Sequence, residues 1–201
     1  MRPLDRRIVR TRRMLRDALM ALIAERGFDG ISVQDITERA DLRRATFYLH
    51  YKSKEELLLA TLAELFEGVR QQVEALPPQP ALGGKTNLEM FVVIYRHIAE
   101  YRALYHAILE GQGSAQFSRY IRTYLAGHIQ LDDLPTPGLP PEVLANYVAG
   151  AELALVTWWL ESDMPYTPEH MAELTQRLTL GCIVGVVDPT VLRNIVSSPP
   201  A

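Results

Sequence analysis

The segment from Ser32 to Leu57, SVQDITERADLRRATFYLHYKSKEEL, confines the fold more tightly than any other stretch. Ser32 lies three residues before Asp35, the spacing of a capping box, in which each side chain satisfies the other's backbone N–H. Ile31 and Ile36 flank that box at the spacing of a hydrophobic staple. Val33, Ile36 and Ala40 then fall at i, i+3 and i+7, one apolar stripe on a short helix. Asp41-Leu42 reads as a corner, because Asp tolerates a left-handed backbone. A second short helix follows, with Leu42, Ala45 and Leu49 expected to face inward and Arg44, Tyr48 and Tyr51 to share the opposite side. Ser53-Lys54-Glu55-Glu56 opens a third helix with a second expected capping box.

Two short helices across a tight corner, the second rich in Arg and Tyr, describe a helix-turn-helix with its recognition helix. The candidate DNA-contacting residues are Ser32, Gln34, Arg43, Arg44, Ala45, Thr46, Tyr48, His50, Lys52 and Lys54. Arg43 and Arg44 open the second helix, where a recognition helix reaches base edges. An arginine there suits a bidentate contact with guanine O6 and N7, worth roughly 1–3 kcal/mol of discrimination. Thr46 suits a phosphate or a thymine methyl. Tyr48, His50, Lys52 and Lys54 are expected to hold phosphates, which fix register without reading sequence. Ser32 and Gln34 stand at the positive end of their helix and can add a further phosphate contact.

The run Thr46 to Leu57, TFYLHYKSKEEL, resembles the signature of the TetR family of bacterial transcriptional repressors. Arg12 to Gly30, ending ERGFDG, is similar to that family's first helix, and the likeness spans roughly residues 8 to 70. The resemblance implies an all-α homodimer. Its N-terminal three-helix head would be joined by a long helix to a C-terminal helical ligand-binding and dimerisation domain. It further implies a repressor that binds double-stranded DNA at a palindromic operator and is released by a small-molecule effector. An activator of the same family, or a helical sensory dimer without sequence-specific DNA binding, are the alternatives. The chain departs from the family pattern at Asp41, where glycine is usual, and at Arg43, where a small capping residue is usual. The recognition helix is therefore expected to be less well capped, with Arg43 turned toward DNA.

The net charge of −3 argues against a polyanion partner until it is divided along the chain. Residues 1 to 54 hold 13 Lys/Arg and 7 Asp/Glu, whereas residues 55 to 201 hold 8 and 17. A basic head on an acidic body is the asymmetry of a chain that meets nucleic acid with one domain only. The single cysteine, Cys182, excludes an intramolecular disulfide and reads as a buried thiol. Basic residues at the N-terminus are followed by no apolar run of signal-peptide length, so a cytoplasmic protein is expected. Val143 to Leu160 is the most apolar stretch. It contains Asn146, Glu152 and Thr157, and reads as a core or interface helix rather than a membrane span. Gly-x-Ser-x-Gly, His-Glu-x-x-His and phosphate-binding glycine loops are missing, so no enzyme and no cofactor are expected. His97 and His106 lack a third ligand at metal-site spacing, so no metal is expected either.

The domain boundaries read as a head over 1–54, a connecting helix over 55–76, a linker over 77–85, a helical body over 86–190 and a tail over 191–201. The first helix should run from about 5 to 26 and stop at Gly27. Its apolar Ile8, Leu15, Leu19, Leu22 and Ile23 should pack on the next two helices. Leu58, Leu62, Leu65, Val69, Val73 and Leu76 form one stripe on the connecting helix, a lever from body to head. Body helices are expected over 86–100, 101–110, 115–131, 141–162 and 168–187, with breaks at Gly111-Gln112-Gly113 and over 132–141. Tyr95, Tyr101, Tyr105, Phe117, Tyr120, Tyr124 and Trp158 are the candidates to line an effector pocket. Ala151, Leu155, Leu174, Leu178, Gly181, Cys182 and Gly185 are the candidates for a four-helix dimer interface.

Overall fold

The computed structural model describes residues 3–77, 88–110, 114–129 and 138–186. Over these residues the chain is α-helical, with no strand: α1 (Pro3–Arg26), α2 (Val33–Arg39), α3 (Arg44–Tyr48), α4 (Lys54–Glu74), α5 (Leu88–Glu100), α6 (Arg102–Glu110), α7 (Ser114–His128), α8 (Pro141–Glu161) and α9 (Pro168–Val186). The glycine break at 111–113, most of the 132–141 loop, the linker beyond Pro77 and the tail lie outside the described residues.

In the head, Leu15, Leu19, Leu22 and Ile23 of α1 are buried against Ile36, Phe47, Leu57, Leu58 and Leu62. Gly27 stops α1 at φ 74, a left-handed position that glycine adopts without steric cost. The capping box of α2 forms in full. Ser32 N donates to Asp35 Oδ2 at 2.7 Å, and Asp35 N donates to Ser32 Oγ at 3.2 Å. Hydrogen bonds from Ser32 and the Arg26 guanidinium, 2.8 Å away, hold the Asp35 carboxyl well below the usual carboxylate range. The corner at Asp41 has φ 52, the left-handed conformation expected of it.

The register of α3 differs from the sequence reading. Phe47 is its buried residue, and Tyr51 just beyond its end is buried too, while Leu49 is 82% exposed and Ala45 is exposed. The cause is the corner: Arg43 is the extended N-cap, so Leu42 precedes the helix and, though half-buried against the core as expected, does not set the phase of its inward stripe. Phe47 and Tyr51, four apart, take that role instead. The second capping box is also rearranged. Ser53 Oγ accepts from Glu56 N at 3.3 Å, but Glu56 Oε2 accepts from Lys52 N at 2.6 Å, one residue earlier than a reciprocal box requires.

In the body, α5 packs along α9 and α7 along α8. Tyr95 lies edge-on to Trp159, with ring centroids 5.2 Å apart, and its hydroxyl is 2.7 Å from Thr175 Oγ1. Thr167 Oγ accepts from His170 N at 3.2 Å and so caps α9 ahead of Pro168. Head and body share one apolar core, joined where Phe28 meets Phe117 edge-on at 5.9 Å. By length and composition alone α8 could cross a membrane. Here Leu144, Ala145, Val148, Ala149, Trp159 and Leu160 are buried, as in a core helix.

A candidate DNA interface on the head

The recognition helix is fixed from beneath and open above. Phe47 is fully buried and Tyr51 nearly so, and these two side chains root α3 in the head. Arg43, Arg44, Ala45 and Tyr48 are exposed, while Thr46 and His50 are half-buried. Arg44 Nη2 donates to Tyr48 Oη at 3.3 Å and its guanidinium sits 5.7 Å from the Tyr48 ring centroid. The pair therefore presents one preorganised cationic and hydroxyl surface. Arg43 has no side-chain cap bond, so its guanidinium is not drawn back to the helix start. Burial, and then the charge of Arg12, hold the His50 imidazole below its ordinary value.

Ser32 and Gln34 are both exposed on the first turn of α2. Ser32 Oγ donates to Asp35 Oδ2 at 2.6 Å, and Gln34 Nε2 donates to Glu38 at 2.8 Å. Lys52 is exposed, with its backbone N–H bound by Glu56. Lys54, the remaining phosphate candidate, is engaged within the head instead of standing open. Its ammonium donates to the carbonyls of Phe28, Asp29 and Ile31 at 3.1, 3.3 and 2.8 Å, and stands 4.5 Å from the Phe28 ring centroid. With three carbonyls occupying three N–H donors, Lys54 clasps the α1–α2 connection to the start of α4. Sequence spacing alone could not distinguish an ammonium turned inward from one turned outward.

Among the described residues the pocket candidates are spread between core and surface. Tyr95, Tyr105 and Phe117 are core residues. Tyr105 Oη is 3.0 Å from His97 Nε2, whose ring lies 4.8 Å from that of Tyr101. Burial holds His97 at about 4, so it is neutral. Tyr120 and Tyr124 stack on Phe66, with centroids at 6.4 and 4.7 Å, and join α4 to α7. Trp158 is 44% exposed on the outer side of α8, next to Tyr166. It lines a groove of about 450 Å³ with Leu155, Met171, Leu174, Arg177 and Leu178. No group of His, Cys, Asp or Glu suited to a metal occurs among the described residues.

The dimer candidates divide similarly. Ala151, Leu178, Gly181 and Gly185 are exposed, Leu155 and Leu174 are half-buried in that groove, and Cys182 packs beside Leu144, Ala145, Val148 and Ile183. The sequence reading missed Val143 and Tyr147, which are 50% and 64% exposed. With Ala151, Ala154 and Trp158 they form one exposed apolar stripe along α8. The signal was present as i, i+4 spacing, hidden by an apolar circumference that points nowhere in particular.

Comparison with known proteins gives this geometry a family. Residues 15–61 match the bacterial regulatory proteins of the tetR family, and residues 85–181 match a transcriptional regulator C-terminal region. The chain belongs to the TetR family, a family of transcriptional regulators. YxbF of Bacillus subtilis, an uncharacterised HTH-type transcriptional regulator, is 52% identical over 56 residues, covering 27% of this chain and 15% of that protein. KstR of Mycolicibacterium smegmatis, an HTH-type transcriptional repressor, is 31% identical over 75 residues, 37% of this chain and 35% of its own. The chain thus spans about a third or less of the length of these two relatives. A TetR transcriptional regulator from Streptococcus agalactiae shares the fold, with a TM-score of 0.65 at 23% identity over 87% of this chain and 96% of that one. DhaS, a dihydroxyacetone kinase operon activator, gives 0.63 at 19% identity over 89% and 98%.

Proposed function

We propose that the chain is a ligand-responsive, DNA-binding transcriptional regulator, acting as a homodimer in the cytoplasm and without catalytic activity of its own. The observation that carries this reading is α3. Its inner side is locked in the core through Phe47 and Tyr51, while Arg43, Arg44 and Tyr48 are exposed on the outer side. In a dimer the two α3 helices would enter successive major grooves, with half-sites ~34 Å or somewhat more apart, so the operator would be palindromic. Arg43 and Arg44 would read base edges, with Thr46 and the exposed Ala45 close to the groove floor. Tyr48, His50, Lys52, Ser32 and Gln34 would hold phosphates and set register.

The exposed apolar stripe of α8, with Leu178, Gly181 and Gly185 of α9, supports dimerisation through a four-helix interface. Repression is favoured by the several relatives named as repressors. Activation is the second reading, favoured by the fold neighbour DhaS. A small-molecule effector would act by linkage. It must bind the head spacing that cannot engage DNA better than the spacing that can, since equal affinity shifts nothing. Routes from body to head include α4 itself, the packing of α1 on α6 and the Phe28–Phe117 contact.

Selection of binding sites from random duplex DNA by the purified protein tests the proposal. An enriched site with two-fold symmetry is expected. Absence of enrichment at both low and physiological salt would favour a sensory dimer without sequence-specific binding.

A further inference from the structure

Burial on α1 begins at Thr11 and Leu15. Before that point Arg6, Arg7 and Arg10 are exposed, and Val9 is 52% exposed, so these turns extend past the core of the head. The first sixteen residues contain seven arginines and one carboxylate, Asp5. Helical spacing puts Arg6, Arg10 and Arg13 at i, i+4 and i+7 on one stripe, with a rise of ~5.4 Å per turn. Like charges at i, i+4 destabilise a helix standing alone, and a polyanion relieves that repulsion. Further along α1 the arginines are neutralised: Arg13 by Asp17 at 3.5 Å, and Arg16 by Asp17 at 3.1 Å and Glu64 at 2.6 Å. Among the described residues no carboxylate pairs with Arg6, Arg7 or Arg10.

Arg12, next along the helix, reaches the segment that follows α3. It lies 5.9 Å from the ring centroid of the buried Tyr51, and its charge acts on the half-buried His50 imidazole. His50 in turn is flanked by Tyr48 and Lys52 at the end of α3.

We infer that the first turns of α1 form a second DNA-binding element, a basic arm that grips backbone phosphates flanking the base pairs read by α3. The inference rests on the DNA-binding reading and enlarges its contact surface. The arm adds affinity without adding sequence preference, because phosphate contacts carry no base information.

The test compares wild type with the Arg6→Gln, Arg7→Gln, Arg10→Gln triple variant and with the triple Lys variant. The ligand is a duplex carrying the selected site, with long flanks or with flanks trimmed close to the site. Glutamine keeps helix propensity, and circular dichroism melting checks folding. For the Gln variant on long flanks, the log–log salt slope should become shallower by about two to three per protomer. Affinity near 0.15 M salt should fall on the order of 100-fold for each arm removed, with the selected sequence unchanged. The Lys variant should retain the wild-type slope, and trimming the flanks should weaken wild type but not the Gln variant. A folded Gln variant with the wild-type slope, or equal sensitivity of both proteins to trimming, would overturn the arm and leave the α3 reading standing. A wild-type protein that selects no site would overturn the DNA-binding reading itself.

Discussion

Lys54 shows how one side chain can carry two opposite meanings. Read in sequence beside His50 and Lys52 it is a phosphate contact, and in the fold it is a clasp on three carbonyls. Replacing it by Met removes those bonds and the contact with Phe28, and should destabilise the head by about 2 kcal/mol, read as a lower urea midpoint. If the variant unfolds with wild type while the salt slope of DNA binding falls by about one, Lys54 is a phosphate contact after all. Glu152 offers a second test at this scale. It lies between α8 and α9, where Thr179 Oγ1 donates at 3.4 Å, and burial raises its carboxyl from 4.5 to about 7. A folded value above the unfolded one stabilises fully below the unfolded value, and that contribution is lost as pH rises through the folded value. Stability should therefore decline between about pH 4.5 and 7. Glu152→Gln should flatten the decline and gain about 2 kcal/mol at pH 8. A Gln variant that follows the wild-type profile would contradict this assignment.

At the scale of elements, helix positions were legible because stop signals and periodicity agree. Gly27 ends α1, Ser32 and Ser53 open α2 and α4, and Thr167-Pro168 opens α9, each within a few residues of expectation. The inward face of α3 was not legible. A helix of five residues has too few turns for periodicity to fix its phase, and the left-handed Asp41 shifts where counting begins. The placement of the body's aromatic residues was not legible either. Aromatic residues at helical spacing look alike whether they fill a core, as Tyr95 does, or face outward, as Trp158 does. The junction of head and body depended on a contact between residues far apart in sequence, Phe28 and Phe117. A double-mutant cycle of Phe28→Leu and Phe117→Leu, read by urea unfolding, should give a coupling of about 0.5–1.5 kcal/mol. Additive effects would mean that the two rings do not couple the domains.

At the scale of the whole molecule, charge and apolar surface are segregated. The basic head carries the candidate DNA face, and α8 carries Val143, Tyr147 and Trp158 in the open. Because Tyr147 and Leu178 are each 64% exposed, Tyr147→Asp with Leu178→Asp should leave the protomer folded and convert a dimer to a monomer in sedimentation. A double variant that remains dimeric would place the interface elsewhere. The central claim is that α3 reads bases, and Arg44 tests it most directly. Site selection with Arg44→Ala beside wild type should return the same palindrome, with one symmetric pair of positions relaxed at a cost in discrimination of roughly 1–3 kcal/mol. An Arg44→Ala variant that selects the wild-type sequence with undiminished preference at every position would contradict it.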